Sequence, residues 1–361
     1  MLRAFGSPGR YVQGAGALGQ LGALAGEHGR KPFVVADDVV LGLLRPQLEA
    51  SLGALAADTR FARFGGECTV AEIDRLAAEA AAAGADIIVG VGGGKAIDAA
   101  KGVRIARDVP LVIVPTVASN DSPTSRLVVT YTASHVLDEV RRMRTNPDIV
   151  LVDTEVLVRA PERFFVAGVG DAISKKFEAA QCIATGKDNF YAARPPRLAQ
   201  VIADACYDII RADAGRALAA VRARRADAAF ERTIEATILL SGLAFENGGL
   251  SIAHSLTRGF SVVPGVADAL HGEQVAFGLL AQLVLERRPD AFMADLLDFY
   301  GRLGLPRSLT DLGLAGDPAE AARLIAADTW ARAPYVGALE GGIDQARLEA
   351  AVLAAHRLTL S

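Results

Sequence analysis

Two groups of residues in this chain are of types that do chemistry. The first is Asp171, His254 and His271. His254 closes the plausibly helical stretch Gly248-Gly249-Leu250-Ser251-Ile252-Ala253-His254, and His271 stands in Leu270-His271-Gly272-Glu273-Gln274, with Pro264-Gly265 between them favouring a turn. Two helices joined that way can bring both imidazoles to a common point, where Asp171, in Gly170-Asp171-Ala172, can supply an oxygen. Three protein ligands with an open fourth position make a catalytic rather than a structural metal site. The bland alternative is that these histidines are hydrogen-bonded in a core or exposed, and spacing alone does not separate the two. His28, His135 and His356 stand in polar or mixed surroundings and carry no pattern.

The second group is Gly92-Gly93-Gly94-Lys95. The apolar run Ile87-Ile88-Val89 before it reads as a buried strand, and Lys95 onward has helical composition. The bare amide groups of such a turn and the positive end of the following helix form a site for an anion such as a pyrophosphate, to which Lys95 adds a point charge. It is neither a P-loop nor the usual dinucleotide fingerprint, because the residues at Val89, Lys95 and Ala96 are wrong for them. Close helix-to-strand packing with no ligand would also use these glycines. The hydroxyl-rich loop Thr116 to Ser125 follows another buried run, and Asp37 closes an early one. An acidic residue there can hold a ribose and repel a 2′-phosphate, which favours NAD over NADP, or it can simply cap a helix.

The elements that must position these groups alternate. Strands are expected at 32–36, 59–64, 87–89, 110–114 and 149–152, helices at 15–29, 70–83 and 95–107, and an edge strand or hairpin arm at 128–132. Alternation of this kind predicts a parallel sheet with ligands at the carboxyl ends of its strands. After about residue 160 the texture changes to Ala, Leu and Arg at helical spacing. The expected architecture is an α/β nucleotide-binding domain over 1–160 and an all-helical domain over 161–361.

With 361 residues, two domains are the default. A net charge of -4 gives no electrostatic argument for nucleic acid or an acidic membrane. Cys68, Cys182 and Cys206 are odd in number and form no C-x-x-C pair, so reduced core thiols are expected. The start lacks the apolar region of a signal peptide, and no segment approaches roughly 18 uncharged apolar residues, so a cytoplasmic protein without membrane contact is expected.

Taken together, Ser7-Pro8-Gly9-Arg10-Tyr11-Val12-Gln13-Gly14, Phe64-Gly65-Gly66-Glu67-Cys68, Gly92-Gly93-Gly94-Lys95 with Asp98 and Lys101, the 115–125 loop, Gly170-Asp171-Ala172 and His271-Gly272-Glu273 resemble, in order and spacing, the glycerol dehydrogenases of the iron-containing alcohol dehydrogenase superfamily. The resemblance runs over nearly the whole chain. It implies NAD in a cleft between the two halves: Asp37 on the adenosine ribose, the motif of Gly92, Gly93, Gly94, Lys95 and Asp98 at the pyrophosphate, and Thr116, Ser119, Ser125, Leu127 and Tyr131 on the rest. It also implies Asp121 touching the substrate, and Asp171, His254 and His271 holding zinc, with iron equally suited to such ligands. A homo-oligomer is implied too. A metal on the substrate hydroxyl stabilises the alkoxide by direct charge, so hydride can pass to the nicotinamide without a protein nucleophile.

The expectation is therefore an NAD-dependent, metal-dependent dehydrogenase of glycerol or a related small polyol or hydroxy compound. The alternatives are a lyase resembling dehydroquinate synthase that uses NAD transiently, and a non-catalytic protein that kept the fold. Departures from the family pattern bear on the substrate. Thr257 and Arg258 stand where a second His and an Asn are usual, and Lys176, beside Lys175, replaces an aromatic residue. If Lys175 and Arg258 point into the cleft, each one helical turn after a ligand, an anionic hydroxy compound is the preferred substrate; otherwise Lys175 pairs with Asp171 or Glu178 and Arg258 is solvated.

Overall fold

The protein is described from a computed structural model that covers residues 2–132 and 137–358; His135 lies outside them. The strands are β1 (Arg10–Gly14), β2 (Pro32–Ala36), β3 (Arg60–Arg63), β4 (Ile87–Gly92), β5 (Leu111–Pro115), β6 (Leu127–Tyr131), β7 (Leu137–Arg142) and β8 (Ile149–Asp153). Between and after them run α1 (Leu21–Gly26), α2 (Asp38–Leu52), α3 (Val70–Ala82), α4 (Gly94–Arg107) and α5 (Thr154–Leu157). The rest is helical: α6 (Glu162–Ala172), α7 (Lys175–Ala184), α8 (Arg197–Arg222), α9 (Ala228–Ile234), α10 (Ser241–Gly248), α11 (Ile252–Phe260), α12 (His271–Leu285), α13 (Asp290–Leu303), α14 (Pro318–Arg332) and α15 (Gln345–Arg357).

Six strands form one parallel sheet in the order β1-β8-β5-β4-β2-β3. β2, β4, β5 and β8 are buried along their whole length, as the sheet is covered on both faces. On one face Leu21, Leu48 and Leu52 of α1 and α2 pack with Val34, Val89, Val112 and Leu151. On the other, Ile73 and Leu76 of α3 pack with Phe33, Ile88 and Ile113, and this core continues into the helical half through Phe165, Ile252, Phe277 and Ile325. The helix after β2 thus lies on one face and the helix after β4 on the other. β2 and β4 are neighbours. Where connections part to opposite faces, a crevice opens at the strands' carboxyl ends.

Three details differ from the sequence reading. β1 was not expected as a strand, because Arg-Tyr-Val-Gln-Gly has no apolar run; it is an edge strand whose residues are only partly buried. Residues 15–29 do not form one helix but a 3-10 turn, Ala17–Gln20, followed by the short α1, in a stretch where repeated glycines lower helix propensity. And the helical run Asp38–Asp58 does reach the length and apolarity of a membrane span. It nevertheless carries Arg45 and Glu49, and it packs on the sheet through Val40, Leu48 and Leu52. The hairpin arm is β6, paired antiparallel with β7 apart from the main sheet.

Candidate active site

The crevice is a cleft of about 1510 Å³. Of the residues assigned from the sequence to cofactor, substrate or metal, all except Gly92 and Asp171 line it, so one cavity runs from the glycine turn to the two histidines.

At the end formed by Gly92, Gly93 and Gly94 the turn is set by close approach. Gly92 has φ +151, and a Cβ there would lie 2.9 Å from the Ala96 Cβ; at Gly90 one would lie 2.6 Å from the Ala100 Cβ. α4 therefore rises directly off β4. Its N-terminus has no side-chain cap, so the first amide groups remain available to an anion. Lys95 is held by Glu67 at 2.7 Å and lies 5.3 Å from the Tyr131 ring centroid. Asp37 is the N-cap of α2, one carboxylate oxygen accepting from Val40 N at 2.8 Å, as the capping alternative supposed, while the residue also faces the cleft.

Asp98 and Ser125, by contrast, are engaged inside the protein. Asp98 Oδ1 accepts from Lys101 Nζ at 3.1 Å and Ser122 Oγ at 2.7 Å, and its Oδ2 from Val129 N. Lys101 also donates to the carbonyls of Ser122 and Leu127 and to Ser125 Oγ. These contacts brace the 116–125 loop and β6 against α4. Thr116 is tied to the glycine turn by its amide, which donates to Gly92 O.

At the other end, Asp171 on α6, His254 on α11 and His271 on α12 offer donor atoms that all lie within 4.8 Å of one another. Backbone proximity brings them there. A Cβ on Gly272 would lie 1.8 Å from Ala167 O, and one on Gly168 would lie 1.9 Å from Ala118 O, so α12 meets α6, and α6 the loop after β5, main chain to main chain. His254 is aimed by Glu178 on α7. The Glu178 carboxylate accepts from the His254 ring Nδ1 at 2.5 Å, from Ser174 Oγ, and from the amides of Ser251 and His254, capping α11 in place of the missing side-chain cap. With Nδ1 turned to Glu178, Nε2 faces Asp171 Oδ1 at 3.2 Å.

The donor set fits a divalent ion. Two imidazoles and a carboxylate suit zinc or iron, and Asp171 Oδ2 is buried with no hydrogen-bond partner among the described residues. Leaving such an oxygen unsatisfied costs about 1–3 kcal/mol or more, which an ion would recover. Lys175 stands in the same place. Its ammonium is 2.5 Å from Asp171 Oδ1, 3.1 Å from His254 Nε2 and 3.2 Å from Asp121 Oδ2, with its side chain fully buried. Asp121 is in turn held by Ser241 Oγ at 2.7 Å.

The charges are strongly mutual. Burial pushes Asp171 up, but Lys175, His254 and His271 together outweigh it and hold the carboxyl below its usual range. Burial raises Asp121, and the negative Asp171 adds to it. Burial opposes a charged His254, yet the Glu178 charge and the hydrogen bonds to Glu178 and Asp171 together outweigh it and carry the ring to about 9. A proton on Nε2 and the Lys175 ammonium are thus rivals for one lone pair. His271, whose side chain is 44% exposed to the cleft, is held below the ordinary histidine value, first by loss of solvent and further by its cationic neighbours.

Lys175 therefore does not project into the open cleft as a substrate-binding base; it pairs with Asp171, the alternative raised from the sequence. Arg258 does line the cleft, half-buried, and its guanidinium has no carboxylate partner among the described residues. Sequence reasoning missed the roles of Glu178 and Ser241. Glu178 stands seven residues after Asp171, a spacing that would share a face on one helix, but the chain breaks between α6 and α7 and the pairing follows from packing instead. Ser241 follows a π-helical turn, Glu235–Leu240, that no local pattern announces.

The sequence pattern of the iron-containing alcohol dehydrogenase family matches residues 8–154. The chain is 37% identical over 358 residues to a glycerol dehydrogenase of Pseudomonas putida, covering 99% of this chain and 98% of that one. It is 38% identical over 314 residues to a glycolaldehyde reductase of Halobacterium salinarum, covering 87% and 86%. The crystal structure of a probable glycerol dehydrogenase from Sinorhizobium meliloti 1021 superposes with a TM-score of 0.93 at 39% identity, covering 99% of each chain.

Proposed function

Since this chain belongs to the iron-containing alcohol dehydrogenase family, among its glycerol dehydrogenases, and is an NAD-dependent alcohol or polyol dehydrogenase, we propose that it oxidises glycerol or a related small polyol at the ligand triad. The observation that carries this reading is the convergence of Asp171, His254 and His271 on one cleft with the glycine turn. In it, residues 1–160 are the NAD-binding half and residues 161–361 the metal-binding half.

Gly93, Gly94 and the free amides of α4 receive the pyrophosphate, with Lys95 beside it. Asp37 takes the adenosine ribose, and Thr116, Ser119, Leu127 and Tyr131 line the way to the histidines. Asp171, His254 and His271 hold zinc, an ion that when bound polarises the substrate hydroxyl by its charge. Glu178 fixes the His254 tautomer, keeping Nε2 toward that ion. Asp121, kept in place by Ser241, orients the substrate's second hydroxyl. Asp98 and Ser125 serve the cofactor indirectly, by bracing the loop.

Three free, buried cysteines support a reducing, cytoplasmic setting. Leu198 and Val201, both more than half exposed and a turn apart on α8, support a homo-oligomer. Purified enzyme with NAD and a panel of polyols should accumulate NADH, and a chelator should abolish turnover that added zinc restores. NADH that never accumulates would instead favour the lyase chemistry. Turnover untouched by the chelator would remove the metal from the reading.

One observation favours a second substrate class. A half-buried guanidinium with no carboxylate partner among the described residues, on the face of α11 that carries His254, suits a carboxylate or phosphate on the substrate, which Arg258 would bind with charge-assisted hydrogen bonds. Small hydroxy acids and glycerol phosphates therefore belong in the same panel.

A further inference from the structure

The ligand triad holds a cation of its own. Lys175 has three N–H donors, and three partners lie within hydrogen-bond reach: Asp171 Oδ1, Asp121 Oδ2 and His254 Nε2, which accepts when the ring is neutral. The ammonium is saturated, with no side-chain exposure to solvent. Two of its three acceptors are the atoms that would bind an ion.

His254 decides whether both can be served. An imidazole has one lone pair to give once its other nitrogen carries hydrogen, and Nδ1 is committed to Glu178 at 2.5 Å. The Nε2 lone pair can accept from Lys175 or ligate a metal, but not both. A divalent ion two ångströms or so from Nε2 would also sit well inside the contact distance of an ammonium now 3.1 Å away. The displaced ammonium has somewhere to go, because Asp121 keeps an oxygen toward it while bonded to Ser241.

We propose that Lys175 is a built-in competitor for the metal, its ammonium and the ion being mutually exclusive partners of His254 Nε2, so that this chain binds its ion more weakly than the bare triad would and keeps the pocket ordered when the ion is absent. The inference rests on the metal reading given above and concerns affinity, not turnover.

The test is a titration of metal-free protein with Zn²⁺ against a chromophoric chelator, without NAD or substrate, in the parent and in Lys175→Met. Removing the ammonium while keeping a side chain of similar length is expected to tighten zinc at least tenfold, at one ion per chain. Stripping the ion should shift the melting temperature of the variant several degrees more than that of the parent. Should Lys175→Met fold poorly, Lys175→Thr makes the same comparison. Equal or weaker zinc affinity in a folded variant overturns the competition and leaves the metal reading standing, provided the parent binds zinc. If neither protein binds zinc, or iron under anaerobic conditions, the metal reading falls and the competition with it.

Discussion

The two ends of the cleft solve opposite problems. At the glycine end the polar groups are backbone amides held open by geometry: Gly92 and Gly90 let α4 rise off β4, and no side chain caps the helix. At the histidine end nearly every polar atom already has a partner. Lys175 is paired three ways, Glu178 accepts four hydrogen bonds, Asp121 is tied to Ser241, and of the buried atoms here Asp171 Oδ2 is left without a partner among the described residues. A ligand at the first end fills vacant donors; one at the second must displace an internal contact. Backbone sites can be strong because nothing has to be broken, whereas a contested site is tuned by its rivals.

The largest disturbance comes from removing one member of the contested end. Asp171→Ala leaves the Lys175 ammonium buried beside a gap, and breaking such a buried pair costs about 3–5 kcal/mol. Denaturant titration should show that loss together with abolished turnover. A near-neutral variant would mean that the pocket is wetter, and its charges less constrained, than described.

Arg258→Asn reads the open mouth between the two ends. If an anionic substrate is preferred, kcat/KM for a hydroxy acid or glycerol phosphate should fall by a factor corresponding to about 1.5–3 kcal/mol, with that for glycerol unchanged. A parallel rise in the KM for NAD would assign the guanidinium to the cofactor instead.

Gly92→Ala disturbs only the open end. Its backbone stands at φ +151 with the Ala96 Cβ 2.9 Å from the position of an added Cβ, so strain of about 1–3 kcal/mol is expected. Calorimetry should find weakened NAD binding with unchanged zinc stoichiometry. Loss of zinc as well would mean that the two ends are coupled.

The smallest effect separates the two roles of Asp37. Serine can accept from Val40 N as the aspartate does, so Asp37→Ser should alter stability by only a few tenths of a kcal/mol. Loss of the carboxylate should still raise NADP use relative to NAD. An unchanged cofactor ratio would leave Asp37 as a cap and nothing more.

What the sequence made legible divides along the same line. Uninterrupted β-branched runs announce buried strands, so β2, β4, β5 and β8 and the glycine turn could be placed, while β1, with no such run, could not. Which strand neighbours which follows from packing over the whole sheet, and no local pattern encodes it. The three candidate ligands were recognisable by type and by resemblance. That Lys175 lies among them, and that Asp98 and Ser125 turn toward Lys101, depends on contacts between α4, the 116–125 loop, α6, α7 and α11, which spacing alone cannot distinguish from an outward-facing base or a free hydroxyl.

The core described above does not stop where the chemistry changes hands. Phe33 and Ile88 of the sheet belong to the same apolar body as Phe277 and Ile325 of the helices. Neither half of the chain encloses that body alone. A fragment ending near residue 160 would keep α3 and α4 on the sheet but would expose to water the part of that body that meets the helical half. A ligand that binds only the folded form at the glycine turn would therefore also raise the melting of α12 and α14, which share that body.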